Sequence, residues 1–503
     1  METEIKLLLA QDDLDRLGHE RAFGTAKCGP PGRASMNAVY YDTPELALEH
    51  KGMALRVRKE GRTWKQTVKA PGSTLGWLHQ RTELEWSVPG EHLDVELLKG
   101  SALGDVFRKP KIAARLRPVF RMEFDRRSMR LGFDDGSSAV LALDSGRITA
   151  GRRSTPICEA EIELEEGSAS RLLDLADTLL DEFGCRIGHR SKAERAYALL
   201  DPNRFAPRKW QDIGQNLGLS PETPASQACL RVMDACASQL HANEEGFLAG
   251  EDPEYLHQMR TGMRRLRVAL ALPRDPAWRE ALMPLTAELR WASGLLGTAR
   301  NWDVFANELL PPLMHACGGN GLAQLRRRVA KQRREAGAAA REAVRSARYQ
   351  RLGLQLARLA VEHPNAIGGE TTARDFANAA LARRLRKLAA WENPGALGAE
   401  ELHRMRIATK KMRYVAEFFG AFYRHHTVKR FTGRLEALQE LLGTINDAQV
   451  SAQMIEASAA ARPALDREAV GLARGWVAAR EALARERLGA AWRSFRSLQS
   501  YWI

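Results

Sequence analysis

A chain of 503 residues is longer than the roughly 100–200 residues that one core organises, so two or more domains are expected. Its composition, 44% hydrophobic and 27% charged, is that of a globular chain, and no apolar run approaches the roughly 18–20 residues a membrane-spanning helix needs. Six cysteines (Cys28, Cys158, Cys185, Cys229, Cys236, Cys317) form no CxxC pair and no metal-ligand spacing, which argues against a disulfide framework or structural zinc.

The start, Met1-Glu2-Thr3-Glu4, has acids where a secretory signal carries positive charge, so a cytoplasmic location is the expectation. The first 200 residues hold 31 basic and 31 acidic side chains, so the whole formal excess of +14 lies beyond them. That asymmetry predicts that the second part meets a polyanion, the alternative being solvation of long helices.

In chain order, residues up to about Val140 alternate with a period of two, as in Glu2-Thr3-Glu4-Ile5-Lys6-Leu7, Ala54-Leu55-Arg56-Val57-Arg58 and Arg81-Thr82-Glu83-Leu84-Glu85-Trp86. Gly and Pro clusters separate these runs, which predicts a β-rich domain. Two more strands fit Ala139–Asp144 and Cys158–Leu164, a helix fits Ala169–Phe183, and the domain closes near Leu200. Residues 201–224, with four prolines, read as a linker. From 225 to 503 the Ala, Leu, Arg and Glu-rich texture has a period near 3.6, which predicts an all-helical domain. That domain is duplicated: His257-x-x-Arg260-x-x-x-Arg264-x-x-Arg267 recurs 146 residues on as His403-x-x-Arg406-x-x-x-Lys410-x-x-Arg413, and Leu296-Gly297-Thr298 recurs as Leu442-Gly443-Thr444.

On a strand, residues i, i+2 and i+4 share a face. Glu2, Glu4 and Lys6 therefore form one charged row, and so do Arg56 with Arg58, Lys65 with Lys69, Glu83 with Glu85, Arg117 with Arg121, and Glu159, Glu161 and Glu163. The opposite faces carry Leu55 and Val57, Leu84 and Trp86, or Ile162 and Leu164. Apolar residues outside and both signs of charge inside describe a closed barrel with a charged lumen, its outer face covered by helices. Carboxylate rows hold divalent cations, whereas Arg and Lys rows hold phosphoryl oxygens.

The ExExK opening, Tyr40-Tyr41-Asp42-Thr43-Pro44, Leu55-Arg56-Val57-Arg58, Lys65 to Lys69, Glu83-x-Glu85, Glu161-x-Glu163 and Ser191-Lys192 together resemble, in that order, the CYTH family of triphosphate tunnel metalloenzymes. The resemblance covers residues 1–200 and implies an eight-stranded antiparallel tunnel that binds a triphosphate and one or two divalent metals, Mg²⁺ or Mn²⁺. It implies metal-binding and catalytic roles for Glu2, Glu4, Glu161 and Glu163, with Lys6 also at the chemistry. It further implies a phosphate clamp of Lys6, Arg56, Arg58, Lys65, Lys69, Arg121 and Lys192, with Glu83, Glu85 and Asp144 as further acids.

Positions i, i+3, i+7 and i+10 of a helix fall within an arc of about 80°, so His257, Arg260, Arg264 and Arg267 form one basic stripe and His403, Arg406, Lys410 and Arg413 another. Like charges stacked this way destabilise a lone helix, which points to a bound anion. The paired stripes and Leu-Gly-Thr segments resemble the CHAD family of conserved-histidine α-helical domains, which implies two four-helix bundles and a cleft binding inorganic polyphosphate. Asn301 departs from the acid that family more often has there. The runs Arg326-Arg327-Arg328, Lys331, Arg333, Arg334 and Arg383-Arg384-x-Arg386-Lys387 read first as solvated helix faces.

The expectation is therefore an α+β multidomain chain whose tunnel hydrolyses inorganic triphosphate to diphosphate and phosphate, with polyphosphate on the helical domain and granules as one destination. The alternatives are a thiamine or nucleoside triphosphatase, an adenylate cyclase, or a polyphosphate-binding granule protein with little activity. With 7% aromatic residues and no basic-aromatic interleaving, nucleic acid is not an expected partner, and neither is a membrane.

Overall fold

The computed structural model describes residues 2–502 apart from 21, 24–25, 76–77, 202–205, 215–216, 251, 318–319, 363–370 and 461–466. Contacts divide the chain into two compact units, Met1–Ala206 with Arg345–Glu362, and Pro207–Val344 with His363–Ile503.

The first unit is built on one antiparallel sheet. Its described strands are β1 (Glu2–Leu8), β2 (Ala22–Phe23), β3 (Ala26–Cys28), β4 (Gly32–Asp42), β5 (Ala54–Glu60), β6 (Thr63–Leu75), β7 (Leu78–Val88), β8 (Arg117–Gly132), β9 (Ser138–Ala150), β10 (Arg153–Glu166) and β11 (Arg186–Ile187). The pairing runs β8-β4-β5-β6-β7-β1-β10-β9 and returns from β9 to β8, so eight strands close on themselves. The remaining pieces are short additions, β3 carrying β2 along β8 and β11 along β1. Closure removes the open edges a flat sheet would leave.

Register decides which side of each strand faces the lumen. Lys6 pairs with Glu161, Arg58 with Lys65 and Lys69 with Glu83, so the charged rows share the inner wall. Outward, Ile5, Leu7, Leu141, Leu143 and Ile162 pack on helix Ser170–Glu182 through Leu172, Leu173, Ala176 and Leu179, all buried. Each such leucine contributes roughly 2 kcal/mol of apolar burial. Across the barrel, Leu55, Val57 and Val68 pack on Leu98, Phe107 and Ile112 from three short helices between 95 and 113. Gln66 fixes the first of these, exchanging two hydrogen bonds with the Asp94 backbone at 2.7 and 2.9 Å, while the Asp94 carboxylate caps Glu96 and Leu97.

Helix Lys192–Leu200 fills one end of the lumen. Its Ala193, Ala196 and Tyr197 pack on the inward-facing Tyr40, Phe120, Met122, Phe124, Ile148 and Ile157. Ser191 and Glu194 form a capping box at its start, and Tyr197 donates from its hydroxyl to buried Asp42 at 3.0 Å. The inner wall is thus charged over one stretch and apolar over the other.

A helix from far along the chain completes the outer layer. Ala347–Glu362 places Leu354 and Ala357 in the core behind β1, and its Gln350 accepts from the Ile187 amide at 3.0 Å. Arg351 pairs with Asp177 and Asp181, and Arg358 with Asp174.

The second unit is helical. Helices Ala225–His241, Pro253–Leu270, Met283–Val304 and Asn320–Arg345 form its first half, and Ala373–Ala389, Ala399–Phe418, His425–Ala460 and Arg467–Arg496 its second. The Ala225 amide donates to Thr371 O at 3.0 Å and the Ala373 amide to Thr223 O at 2.7 Å, a reciprocal pair that marks an approximate twofold between the repeats. Within 201–224, Trp210 is buried against Phe418 and under the Arg265 guanidinium, which ties that proline-rich stretch to the helices.

Leu354→Asp should lower the melting temperature of the barrel unit markedly, costing about 3 kcal/mol because a charge enters an apolar core. Arg351→Ala should cost less than about 1 kcal/mol, since its ion pairs are partly exposed. Thermal unfolding followed by near-ultraviolet circular dichroism compares the two.

Candidate active site

The charged stretch of the lumen encloses a cavity of about 380 Å³ lined by Glu4, Lys6, Tyr40, Arg56, Arg58, Lys69, Glu83, Glu85, Arg126, Glu161, Glu163, Ser191 and Lys192. Strands β1 and β10 supply its acidic corner, β5 to β7 a mixed wall, and the first turn of helix Lys192–Leu200 its end.

On one side the ions are densely cross-paired. The Lys192 ammonium lies 2.7 Å from Asp144 and 3.0 Å from Glu161 and also contacts Glu159. Arg126 donates to both Asp144 oxygens at 2.6 and 2.7 Å and to Glu161 at 2.7 Å, while Lys6 reaches Glu161 at 3.2 Å and Glu4 at 3.4 Å. Arg195 binds the far oxygen of fully buried Glu159. Burial alone would raise the Glu161 carboxyl, but Lys192, Lys6 and Arg126 hold it well below the ordinary range. Lys192 is raised despite its burial, by Glu161, Glu159 and Asp144.

The facing wall is looser. Arg56 and Lys69 reach Glu83 at 3.4 and 2.9 Å, and Arg58 and Lys65 reach Glu85 at 3.4 and 2.9 Å. Burial and then the neighbouring Arg56 push the Arg58 guanidinium down.

Between these walls Glu4 and Glu163 are cross-strand partners. Burial first, and then the Glu4 carboxylate, raises the Glu163 carboxyl, with Glu83 and Glu161 adding to the shift. Oxygen-only donors raised by a like charge are what a hard divalent cation neutralises, so this pair fits Mg²⁺ or Mn²⁺ chemically. The oxygens of Asp144, Glu159 and Glu161 also converge, but the Lys192 ammonium stands among them.

Of the acids expected at a metal, the structure brings Glu4, Glu161 and Glu163 to one corner. Glu2 lies on the same strand, paired with Arg81, and its side chain falls outside the described residues. Of the expected clamp, Lys6, Arg56, Arg58, Lys69 and Lys192 line the cavity, while Lys65 stands on the inner face nearer solvent, one third exposed.

Arg121 is a correction. It pairs with Val39, whose side chain packs outside the barrel, and it is solvent-exposed. The inward positions of β8 are Phe120, Met122, Phe124 and Arg126, so Arg126 holds the lumen place that Arg121 was expected to hold. Placing apolar residues outside inverts β8, because its inner face meets the plugging helix. Glu159 and Asp144 are likewise buried parts of the cluster, Glu159 without an expected role.

The second unit has its own basic cleft, a cavity of about 740 Å³ lined by Arg260, Arg264, Arg267, His403, Arg406 and Lys410. Arg279, Arg290 and Lys411 add to it from outside the stripes. His257 adjoins the cluster; burial, and then Arg300, Arg264, Arg260 and Lys410, push it down to about 4. Burial and then Arg264 and Arg406 push Lys410 down to about 5, and Arg260 is lowered by burial and Arg264. Asp447, 3.8 Å from Arg406, is the counter-ion nearest these groups among the described residues. Arg260 Nη1, Arg264 Nε and Arg406 Nε are buried without a hydrogen-bond partner. Arg413 does not join the cleft: Gln439, Glu417 and Glu436 take its guanidinium.

A closed antiparallel barrel with a charged lumen, followed by a duplicated helical bundle with a basic cleft, defines a β-tunnel protein with a helical partner domain. Residues 1–197 match the CYTH domain and residues 231–456 the CHAD domain. The chain is 33% identical to the crystallised CHAD domain of the plant Ricinus communis, covering 98% of that domain and 58% of its own length with a TM-score of 0.51. It belongs to the CHAD family and carries a CYTH domain ahead of the CHAD domain. It is 31% identical over 179 residues to the inorganic triphosphatase of Haemophilus influenzae, a match spanning 35% of this chain and 49%, about half, of that relative. An uncharacterized protein of Mycobacterium tuberculosis is 28% identical over 461 residues, 85% of this chain and 83% of its own.

The depressed Glu161 carboxyl contributes stability that is present at neutral pH and lost as pH falls through its folded value. Lys192→Met removes a main cause of that depression and leaves three acids to Arg126, Arg195 and Lys6. The variant should lose about 3–5 kcal/mol near pH 7, and its deficit should shrink as pH falls from neutrality toward the depressed folded value of the Glu161 carboxyl. Urea midpoints measured across that range check both.

Proposed function

We propose that the barrel hydrolyses inorganic triphosphate to diphosphate and phosphate with Mg²⁺ or Mn²⁺, and that the cleft of the helical unit binds inorganic polyphosphate. The observation that carries the first part is the lumen itself, where a like-charged carboxylate pair, Glu4 and Glu163, sits within one cavity with Lys6, Arg56, Arg58, Lys69, Arg126 and Lys192. The match to the Haemophilus influenzae inorganic triphosphatase over the CYTH region supports the same reading.

Glu4 and Glu163, with Glu2 on the same strand, would hold the metal, which when bound neutralises phosphoryl charge and polarises a P–O bond. Arg56, Arg58 and Lys69 bind the non-bridging oxygens on one wall, and Lys6, Arg126 and Lys192 on the other. Their paired acids hold these cations in place before substrate arrives, so little reorganisation is needed at the transition state. Water then attacks a terminal phosphorus in line, and diphosphate leaves.

Phosphate release from triphosphate, ATP, thiamine triphosphate and long-chain polyphosphate, presented side by side with Mg²⁺ or Mn²⁺, tests this. A clear preference for triphosphate is expected; preference for an organic triphosphate, or silence on all four, would sink it. Glu163→Gln should cut turnover at least a hundredfold while polyphosphate binding stays intact. Arg264→Glu with Lys410→Glu should do the converse.

The cleft supports its half of the proposal through cations that outnumber their counter-ions. A bound polyanion raises the depressed Lys410 and His257, so binding should take up protons and tighten as pH falls from 8 to 6. Calorimetric titration in buffers of different ionisation enthalpy reads that uptake directly.

A further inference from the structure

The first half of the helical unit holds another cavity, of about 360 Å³, that shares no lining residue with the basic cleft. Arg326, Arg333, Arg334 and Arg341 line it from one face of helix Asn320–Arg345, since i, i+7, i+8 and i+15 lie within an arc of about 100°. Its floor is apolar, made by the buried Phe247, Leu256, Leu310 and Val329.

The charges here do not cancel. Asp303 binds Arg333 at 2.6 Å, and Arg341 lies over the Phe247 ring at 6.0 Å. Among the described residues Arg326 and Arg334 make no ion pair, and the lining offers two carboxylates, Asp252 and Asp303, against four guanidiniums.

Two backbone features keep the space open. Gly337 lies near the middle of the arginine arc, inside a helix, where glycine costs roughly 0.5–1 kcal/mol against alanine. A Cβ there would meet no backbone, its nearest neighbour being Arg341 Nη1 at 3.6 Å, so neither turn geometry nor crowding explains the glycine. On the facing helix, Phe305–Leu309 forms a π-helical turn that brings Ala306 and Asn307 to the wall, a distortion often found at binding sites.

The duplicated half supplies an internal comparison. An offset of 146 residues puts Gly398 where the first copy has Asp252, and Gln449 where it has Asp303. There Arg485 donates to Leu397 O at 3.1 Å and to Glu481 at 2.9 Å, and Gln449 also donates to Glu481. Arg485 stands at the offset of Ala339, while Arg326 and Arg333 of the cavity align with Leu472 and Ala479, so the second copy repeats only part of the arginine arc, as Arg480 and Arg487.

We propose that this cavity binds a small phosphorylated organic anion, with its phosphate on the guanidinium wall and its apolar or aromatic part on the Phe247 floor. Guanidinium forks match phosphate oxygens bidentately, and an apolar floor with a few convergent polar groups is the usual make-up of a small-molecule site. The inference is independent of the tunnel and of the polyphosphate cleft.

Calorimetry on the full chain with ADP, adenosine and inorganic diphosphate tests it. ADP should bind at least tenfold more tightly than either fragment. That binding should weaken at least tenfold in Arg326→Ala with Arg334→Ala, and again in Gly337→Leu, which fills the cavity while favouring the helix. It should persist in Arg56→Ala and in Arg264→Glu with Lys410→Glu. Absence of ADP binding, or binding unmoved by both cavity variants, overturns the proposal; diphosphate binding as tightly as ADP overturns its organic part.

Discussion

The barrel depends on one contact, the Lys192 ammonium set among Asp144, Glu159 and Glu161. Three carboxylates this close, two of them fully buried, would repel one another and carry a large desolvation penalty without a cation between them. Because Lys192 opens the plugging helix, the same contact fixes where that helix enters the lumen. That in turn sets where the apolar stretch of Tyr40, Phe120 and Phe124 begins and where the charged cavity ends.

The two charged regions handle electrostatics in opposite ways. In the tunnel nearly every cation has an acidic neighbour, so the wall is ordered and its local charge nearly balanced, with Glu4 and Glu163 as a like-charged pair within it. In the helical cleft the guanidiniums and Lys410 face one another with little acid nearby, and burial plus repulsion depress them together. The first arrangement suits a small, precisely placed anion with a metal; the second favours any long anion that relieves the crowding.

Much of this was legible because strands obey a strict period of two. Rows such as Glu4 with Lys6 and Arg56 with Arg58 revealed a charged inner face, and the closed eight-stranded barrel follows that alternation. The rule failed at β8, where an apolar inner face meets a helix, so that alternation points to Arg121 although Arg126 lies inward. Helical spacing placed most of both basic stripes but not the acids around Arg413, which come from His425–Ala460 and from Glu417 on the same helix. Contacts remote in sequence, such as Gln350 with Ile187, leave no periodic trace at all.

Helix Ala347–Glu362 also sets a timetable for the nascent chain. The eight strands that close the barrel and the helix behind β1 are complete by Glu182, yet the piece that covers them ends at Glu362, after the first helical repeat has been made. At about 5–20 residues per second, synthesis leaves that apolar surface waiting roughly ten to forty seconds for its own chain to return. During that interval the apolar face behind β1 stays uncovered by its own chain, and the first helical repeat is translated as an insertion within the barrel unit rather than as a tail added after it.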